Sequence, residues 1–109
     1  MAKWFQKDEI SGLAPELVSM LDFAREMAGI PFFITSGLRT PEQNRKCGGA
    51  IDSAHLKGLA VDLKCDNSRE RHKIIAGLIK AQFKRIGIAK DHIHADIDES
   101  KDIFVLWLE

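Results

Sequence analysis

Three of the chain's four histidines lie in segments that also carry carboxylates placed to meet them. Zinc takes imidazole nitrogen and carboxylate oxygen as ligands, and a hydrolytic zinc site keeps three protein ligands and leaves a fourth position to water. In Ser53-Ala54-His55-Leu56-Lys57-Gly58-Leu59-Ala60-Val61-Asp62 a loop histidine precedes a glycine turn and then an alternating stretch. Leu59, Val61, Leu63 and Cys65 fall on one face of that stretch, and Ala60, Asp62 and Lys64 on the other. Asp62 therefore projects away from the apolar face, and the loop, turn and strand together can bring His55 and Asp62 to one point. Further on, His92, His94, Asp96 and Asp98 share one side of a second strand, with Ile93, Ala95 and Ile97 on the other. On a strand His92 and His94 stand about 6.6 Å apart, close enough for one to hold a metal ion and the other to reach a water beside it. A lone strand histidine is usually a locally satisfied structural group, so the weight rests on the combination. The fourth histidine, His72, lies on a basic helical stretch and is expected to face solvent.

These side chains need elements to hold them. From Leu13 to Ala28 apolar residues recur at Leu17, Leu21, Ala24 and Ala28, Pro15 suits a first turn and Gly29 a stop, which predicts an amphipathic helix. The PFFIT run at 31–35 reads as a buried strand, opening into the turn-rich Ser36-Gly37-Leu38-Arg39-Thr40-Pro41, which presents Arg39. A short helix is expected over Pro41 to Lys46 with Thr40 as its cap, then a glycine-rich loop through Ser53 and His55 that forms a site wall. Ser68 can cap a helix over 69–81 with Ile74, Ile75, Leu78 and Ile79 buried. Its basic face, Arg69, Arg71, Lys73 and Lys80, reads as solvated, because no aromatic residues interleave it. Phe83 to Ile88 reads as a strand, and Ile103 to Leu108 as a last strand forming an antiparallel hairpin with the 92–98 strand. The fold class expected is α+β, a small and mainly antiparallel sheet with helices on one side.

A length of 109 residues suits one domain, 1–109, with a single core. Sixteen basic and sixteen acidic side chains cancel, so no global field favours nucleic acid or an anionic membrane. No apolar run approaches the ~18 residues of a membrane span, and the N-terminal residues lack the apolar core of an export signal. Cys47 and Cys65 have no metal-knuckle or redox spacing and are expected to stay reduced. A monomer is expected.

The pattern SxHxxGxAxD, followed by HxH at 92–94 and preceded by the Ser36-Gly37-Leu38-Arg39 segment, resembles the M15 zinc peptidases, most closely their short single-domain members. That family includes D-Ala-D-Ala carboxypeptidases, D,D-dipeptidases and L-Ala-D-Glu endopeptidases of phage lysis enzymes. The resemblance implies a hedgehog/D-Ala-D-Ala-peptidase-like fold and a Zn2+ cofactor held by His55, Asp62 and His94. It implies that Arg39 binds a substrate carboxylate or supports an oxyanion, and that Ser53 helps hold the substrate. For the catalytic base it offers His92, two residues before the last ligand, with Asp91, three before it, and Asp96 as rivals; Asp96 is also placed to orient a ligand imidazole. The implied reaction is zinc-assisted hydrolysis of a peptide bond in a peptidoglycan-type peptide, by a carboxypeptidase or an endopeptidase. Action would be at the cell wall, reached by way of a holin or a virion. The alternative is a non-catalytic zinc-binding interaction domain of the same fold, like the hedgehog signalling domain; a metal-free structural domain is the third reading.

Overall fold

A computed structural model describes residues 2–109. The first helix, α1, spans Pro15–Ala28 and starts where Pro15 presets the first turn, two residues later than the apolar pattern suggests. Gly29, at φ 72°, closes it in the left-handed conformation. The second helix, α2, spans Pro41–Lys46 and starts with a full capping box: Thr40 Oγ1 accepts the Gln43 N–H while Gln43 Oε1 accepts the Thr40 N–H. The third, α3, spans Ser68–Lys80. Its cap is Asn67 rather than Ser68, since Asn67 Oδ1 accepts the Glu70 N–H at 2.9 Å. His72 is exposed, as are Arg69, Lys73 and Lys80.

Five strands form the sheet among the described residues: β1 (Ile34–Ser36), β2 (Ala60–Lys64), β3 (Arg85–Ile88), β4 (His92–Asp96) and β5 (Val105–Leu108). Their spatial order is β1-β2-β4-β3-β5. β1 begins three residues later than the PFFIT run suggests; Pro31 has no N–H to give a ladder, and Phe33 contributes only its carbonyl, to Lys64 N–H at 2.8 Å. The pairings are antiparallel apart from β3 with β5, which is parallel. The expected hairpin between the last two strands is therefore not formed. Both edges of β4 are already taken, by β2 and by β3, so the chain reverses after Asp96 as a hairpin would but steps over β3 to the free edge beyond it.

One face of the sheet carries Val61, Leu63, Ile93, Ala95 and Ile86 into a single core with Leu17, Leu21 and Ala24 of α1 and Ile74 and Leu78 of α3. Both long helices thus cover the same face. At their crossing a Cβ on Gly77 would stand 2.4 Å from the Ala24 carbonyl oxygen, so the glycine permits the approach. Ile79 is 57% exposed rather than buried, because the stripe that meets α1 runs through Ile74, Gly77 and Leu78 and leaves the next residue turned outward. Both cysteines are free. No helix among the described residues is long and apolar enough to cross a membrane.

Candidate metal centre

The other face of the sheet carries the polar chemistry, and strand register explains why. Directly opposed residues point to the same side, and one row across the sheet reads Ser36, Asp62, His94, Gly87, Trp107. The adjacent row reads Ala60, Asp96, Arg85, Val105. Asp62 and His94 are thus neighbours by pairing alone, and Asp96 lies beside Arg85. His55 comes from outside the sheet, on a 3-10 turn at Ala54–Lys57. Ser53 starts that turn, its Oγ accepting the His55 N–H at 3.2 Å, and Gly58 ends it at φ 72°. A side chain at 58 would also strike the Gly12 carbonyl oxygen, 2.4 Å from an ideal Cβ, so glycine is required twice over.

Asp62 Oδ1 lies 3.3 Å from His55 Nε2 and 3.0 Å from His94 Nδ1. Each residue of this buried trio offers one donor atom, and the donor atoms all lie within 4.8 Å of one another. In a tetrahedral zinc site with bonds near 2.0–2.1 Å, adjacent donors stand roughly 3.3 Å apart, which the two contacts to Asp62 match. The far side of each ring fits too. His55 Nδ1 lies 2.8 Å from the Gly37 carbonyl, which can only accept, so Nδ1 carries the proton and Nε2 turns its lone pair to the site. His94 Nε2 lies 2.7 Å from Asp96 Oδ2, which likewise frees Nδ1. Second partners of this kind are how metal-binding imidazoles are held in tautomer and angle.

Without an ion a proton bridges His94 and Asp62. Burial works against charge on Asp62, but hydrogen bonds from His55 and His94 prevail and hold its carboxyl well below the usual range. Burial likewise opposes charge on His94, yet its bonds to Asp62 and Asp96 push it up to about 9. A cation would take the place of the proton between His94 and Asp62.

Arg39 is brought to the same point. Its NH2 donates to Asp62 Oδ2 at 3.2 Å, its Nε to Ser36 Oγ at 3.0 Å and its NH1 to Asn44 Oδ1 at 3.3 Å, while its backbone N–H binds the His55 carbonyl. Asn44 is buried and donates in turn to the Ala50 carbonyl at 2.7 Å, tying α2 and the glycine loop to Arg39. Ser53, 9% exposed, lines the cleft with its hydroxyl on the His55 amide.

The cleft, about 520 Å³, is lined by Arg39, the Cys47–Ala50 stretch, Ser53, His55, Asp62, His92, His94 and Glu109. His92 stands at its edge with both nitrogens engaged: Nδ1 with Asp91 Oδ1 at 2.8 Å and Nε2 with Glu109 Oε1 at 3.0 Å. Burial lowers its proton affinity, but the Asp91 bond, the charge of Asp62 and the Glu109 bond outweigh that and raise it. Asp91 is 87% exposed and lies off the cleft lining; Asp96 faces His94 and Arg85. Asn44, Arg85, Trp107 and Glu109 are absent from the sequence reading. The signal for the last two was the alternation of Val105, Trp107 and Glu109 against Leu106 and Leu108, which acquires meaning only once β5 is known to pair with β3. Trp107 packs against the His94 ring at 5.5 Å between centroids and beneath the Arg85 guanidinium at 4.9 Å.

Comparison with known proteins agrees with this architecture. The crystal structure of the Serratia marcescens L-Ala D-Glu endopeptidase ChiX has a similar fold, with a TM-score of 0.63 and 22% identity over 84% of each chain. No curated protein matches the sequence. The profile of the family described as peptidase M15 matches residues 3–98, nearly the whole chain and every residue of the trio, and the chain belongs to that family.

Proposed function

We propose that the protein is a zinc-dependent peptidase that hydrolyses a peptide bond in peptidoglycan-type peptides. The observation that carries this reading is the buried His55–Asp62–His94 trio, with donors spaced for zinc and both imidazoles held from behind by acceptors. Membership of the peptidase M15 family and the fold shared with an L-Ala D-Glu endopeptidase support the substrate class. A zinc ion bound there supplies Lewis acidity, to the scissile carbonyl and to a water. The remaining work falls to side chains. Arg39 holds Asp62 Oδ2, so only Oδ1 is left for the ion, and its guanidinium meets a substrate carboxylate or the developing oxyanion. Ser53 Oγ accepts the His55 amide and keeps its own proton free to donate to the substrate backbone. His92, at the cleft edge, takes a proton from the attacking water and returns it to the leaving amine.

The test is digestion of purified sacculi and muropeptides, followed by mass spectrometry, with zinc-loaded protein, chelator-stripped protein, His92→Ala and Arg39→Ala. Cleavage should require zinc, return on adding it back, and fall by about 100-fold or more in each variant. Stoichiometric zinc with no product from wild type would instead mark an interaction domain. Failure to take up zinc would overturn the ligand assignment. Products identify the bond, and with it carboxypeptidase or endopeptidase action.

A further inference from the structure

We propose that Glu109 is a positioning residue that holds the His92 imidazole at the cleft, in a slot that exists because residue 87 is glycine; the catalytic consequence rests on the peptidase reading above. Three independent observations meet on this carboxylate. Its Oε1 lies 3.0 Å from His92 Nε2, whereas Nδ1 is turned to the exposed Asp91. The carboxylate is itself anchored: the Glu109 backbone N–H donates to the Ile88 carbonyl at 2.8 Å, and Oε2 accepts Trp107 Nε1–H at 3.3 Å. Finally, a Cβ at residue 87 would stand 2.8 Å from Glu109 Oε2 and 2.8 Å from the Trp107 atoms Cε2 and Nε1. The site row of the sheet thus leaves out one side chain, and the indole and the carboxylate lie across the gap. Asp91 alone could hold His92 from solvent, but an exposed partner one residue away in sequence leaves the ring free to swing. Glu109 pins the opposite nitrogen from just past the end of β5, two positions across the sheet. Glu109 accepts Nε2–H and so leaves the lone pair on Nδ1, which takes a proton once the exposed Asp91 turns to solvent; a misplacement of about 1 Å in such a group can cost about 100-fold in rate.

The experiment uses the full chain, zinc-free and zinc-loaded, as wild type, Glu109→Ala, Glu109→Gln and Gly87→Ala. Heteronuclear NMR reads the His92 ring and the Trp107 indole, assigned through His92→Ala and Trp107→Phe. In Glu109→Ala the His92 ring signals should move and average, and the Trp107 indole N–H should shift. On the peptide that wild type cleaves, kcat should fall about 10- to 100-fold with KM and zinc affinity within about twofold. Glu109→Gln, which keeps an acceptor oxygen, should restore most of kcat, and Gly87→Ala should reproduce the displaced ring. Unchanged His92 signals in Glu109→Ala would overturn the proposal, as would a kcat loss matched by an equal loss of zinc or equally severe in Glu109→Gln. If wild type cleaves nothing, the peptidase reading fails, while the ring signals still decide whether Glu109 holds His92.

Discussion

Asp96→Asn changes one atom, and the structure leaves it no neutral way to be accommodated. Asp96 uses both oxygens as acceptors: Oδ2 faces His94 Nε2 at 2.7 Å, while Oδ1 takes Arg85 Nε at 2.8 Å and the Asp98 N–H at 3.0 Å. An asparagine has one acceptor and one donor group. Keeping its oxygen toward Arg85 and Asp98 satisfies two donors and turns the NH2 toward His94. The imidazole must then present a lone pair at Nε2 and carry its proton on Nδ1, the nitrogen that faces Asp62. The reverse orientation preserves His94 but sets an NH2 against a guanidinium whose side chain is only 12% exposed, the costlier choice since a buried charge would lose its partner. The first orientation is expected, and with it a zinc affinity lower by about 10- to 100-fold, or about 1.4–2.7 kcal/mol. Competition against a fluorescent chelator measures this, and melting with and without zinc measures it again, because the zinc-induced rise in stability shrinks in step with affinity. The metal-free proteins should differ far less than the zinc-bound ones. Wild-type zinc affinity in Asp96→Asn would refute the assignment of His94 Nδ1 as the donor.

Three further outcomes follow from single sites. Asp98 is buried, and burial opposes its charge, but bonds from Ser100 and Lys57 hold its carboxyl down to about 2 from the usual 3.8. A depressed folded-state value stabilises the protein above pH 3.8 and is lost as pH falls through 2, so Asp98→Asn should lose about 2 kcal/mol in urea unfolding at pH 7 and progressively less relative to wild type as pH falls from 3.8 through 2. Gly77→Ala gains up to about 1 kcal/mol of helix propensity, but its methyl would lie 2.4 Å from the Ala24 carbonyl; about 1–3 kcal/mol of overpacking wins, and chemical denaturation should show net destabilisation. Thr40→Ala removes one half of the α2 capping box and should cost about 1 kcal/mol by the same measurement.

Local patterns were legible in the sequence where one element determines the outcome. The Ser53–Asp62 stretch is such a case: alternation set the phase of β2, the glycine turn set its start, and Asp62 emerged on the polar face beside His94, as the register Asp62↔His94 shows. The helix over 15–28 was equally readable, since Leu17, Leu21 and Ala24 repeat at the helical period. What could not be read was pairing. Ile103 to Leu108 looks the same as an antiparallel neighbour of β4 or as a parallel neighbour of β3, because a strand's own residues record its faces and not which edge receives it. That one ambiguity hid Trp107 and Glu109, since only β5 on the far side of β3 brings them over Gly87 and into reach of His94 and His92. Asn44 escaped for another reason: a short helix offers no period long enough to show that one of its polar residues turns inward.

The two site aspartates share a device that accounts for their geometry better than either does alone. Each gives one oxygen to an arginine and the other to the imidazole cluster: Asp62 to Arg39 through Oδ2, and Asp96 to Arg85 through Oδ1. An unanchored carboxylate could rotate to chelate an ion through both oxygens or swing away to water. With one oxygen tied to a guanidinium, only the other remains for the site, and it stays on a fixed line. The arginines also balance the aspartate charges, so affinity for a cation must come from the aligned donors rather than from surplus negative charge, and the site should discriminate by ligand type rather than by charge alone. Arg39 was visible in its loop because a turn presents it. Arg85 was not, because in a four-residue strand between Lys84 and Ile86 its role depends on Asp96 standing opposite, and that is a property of the sheet.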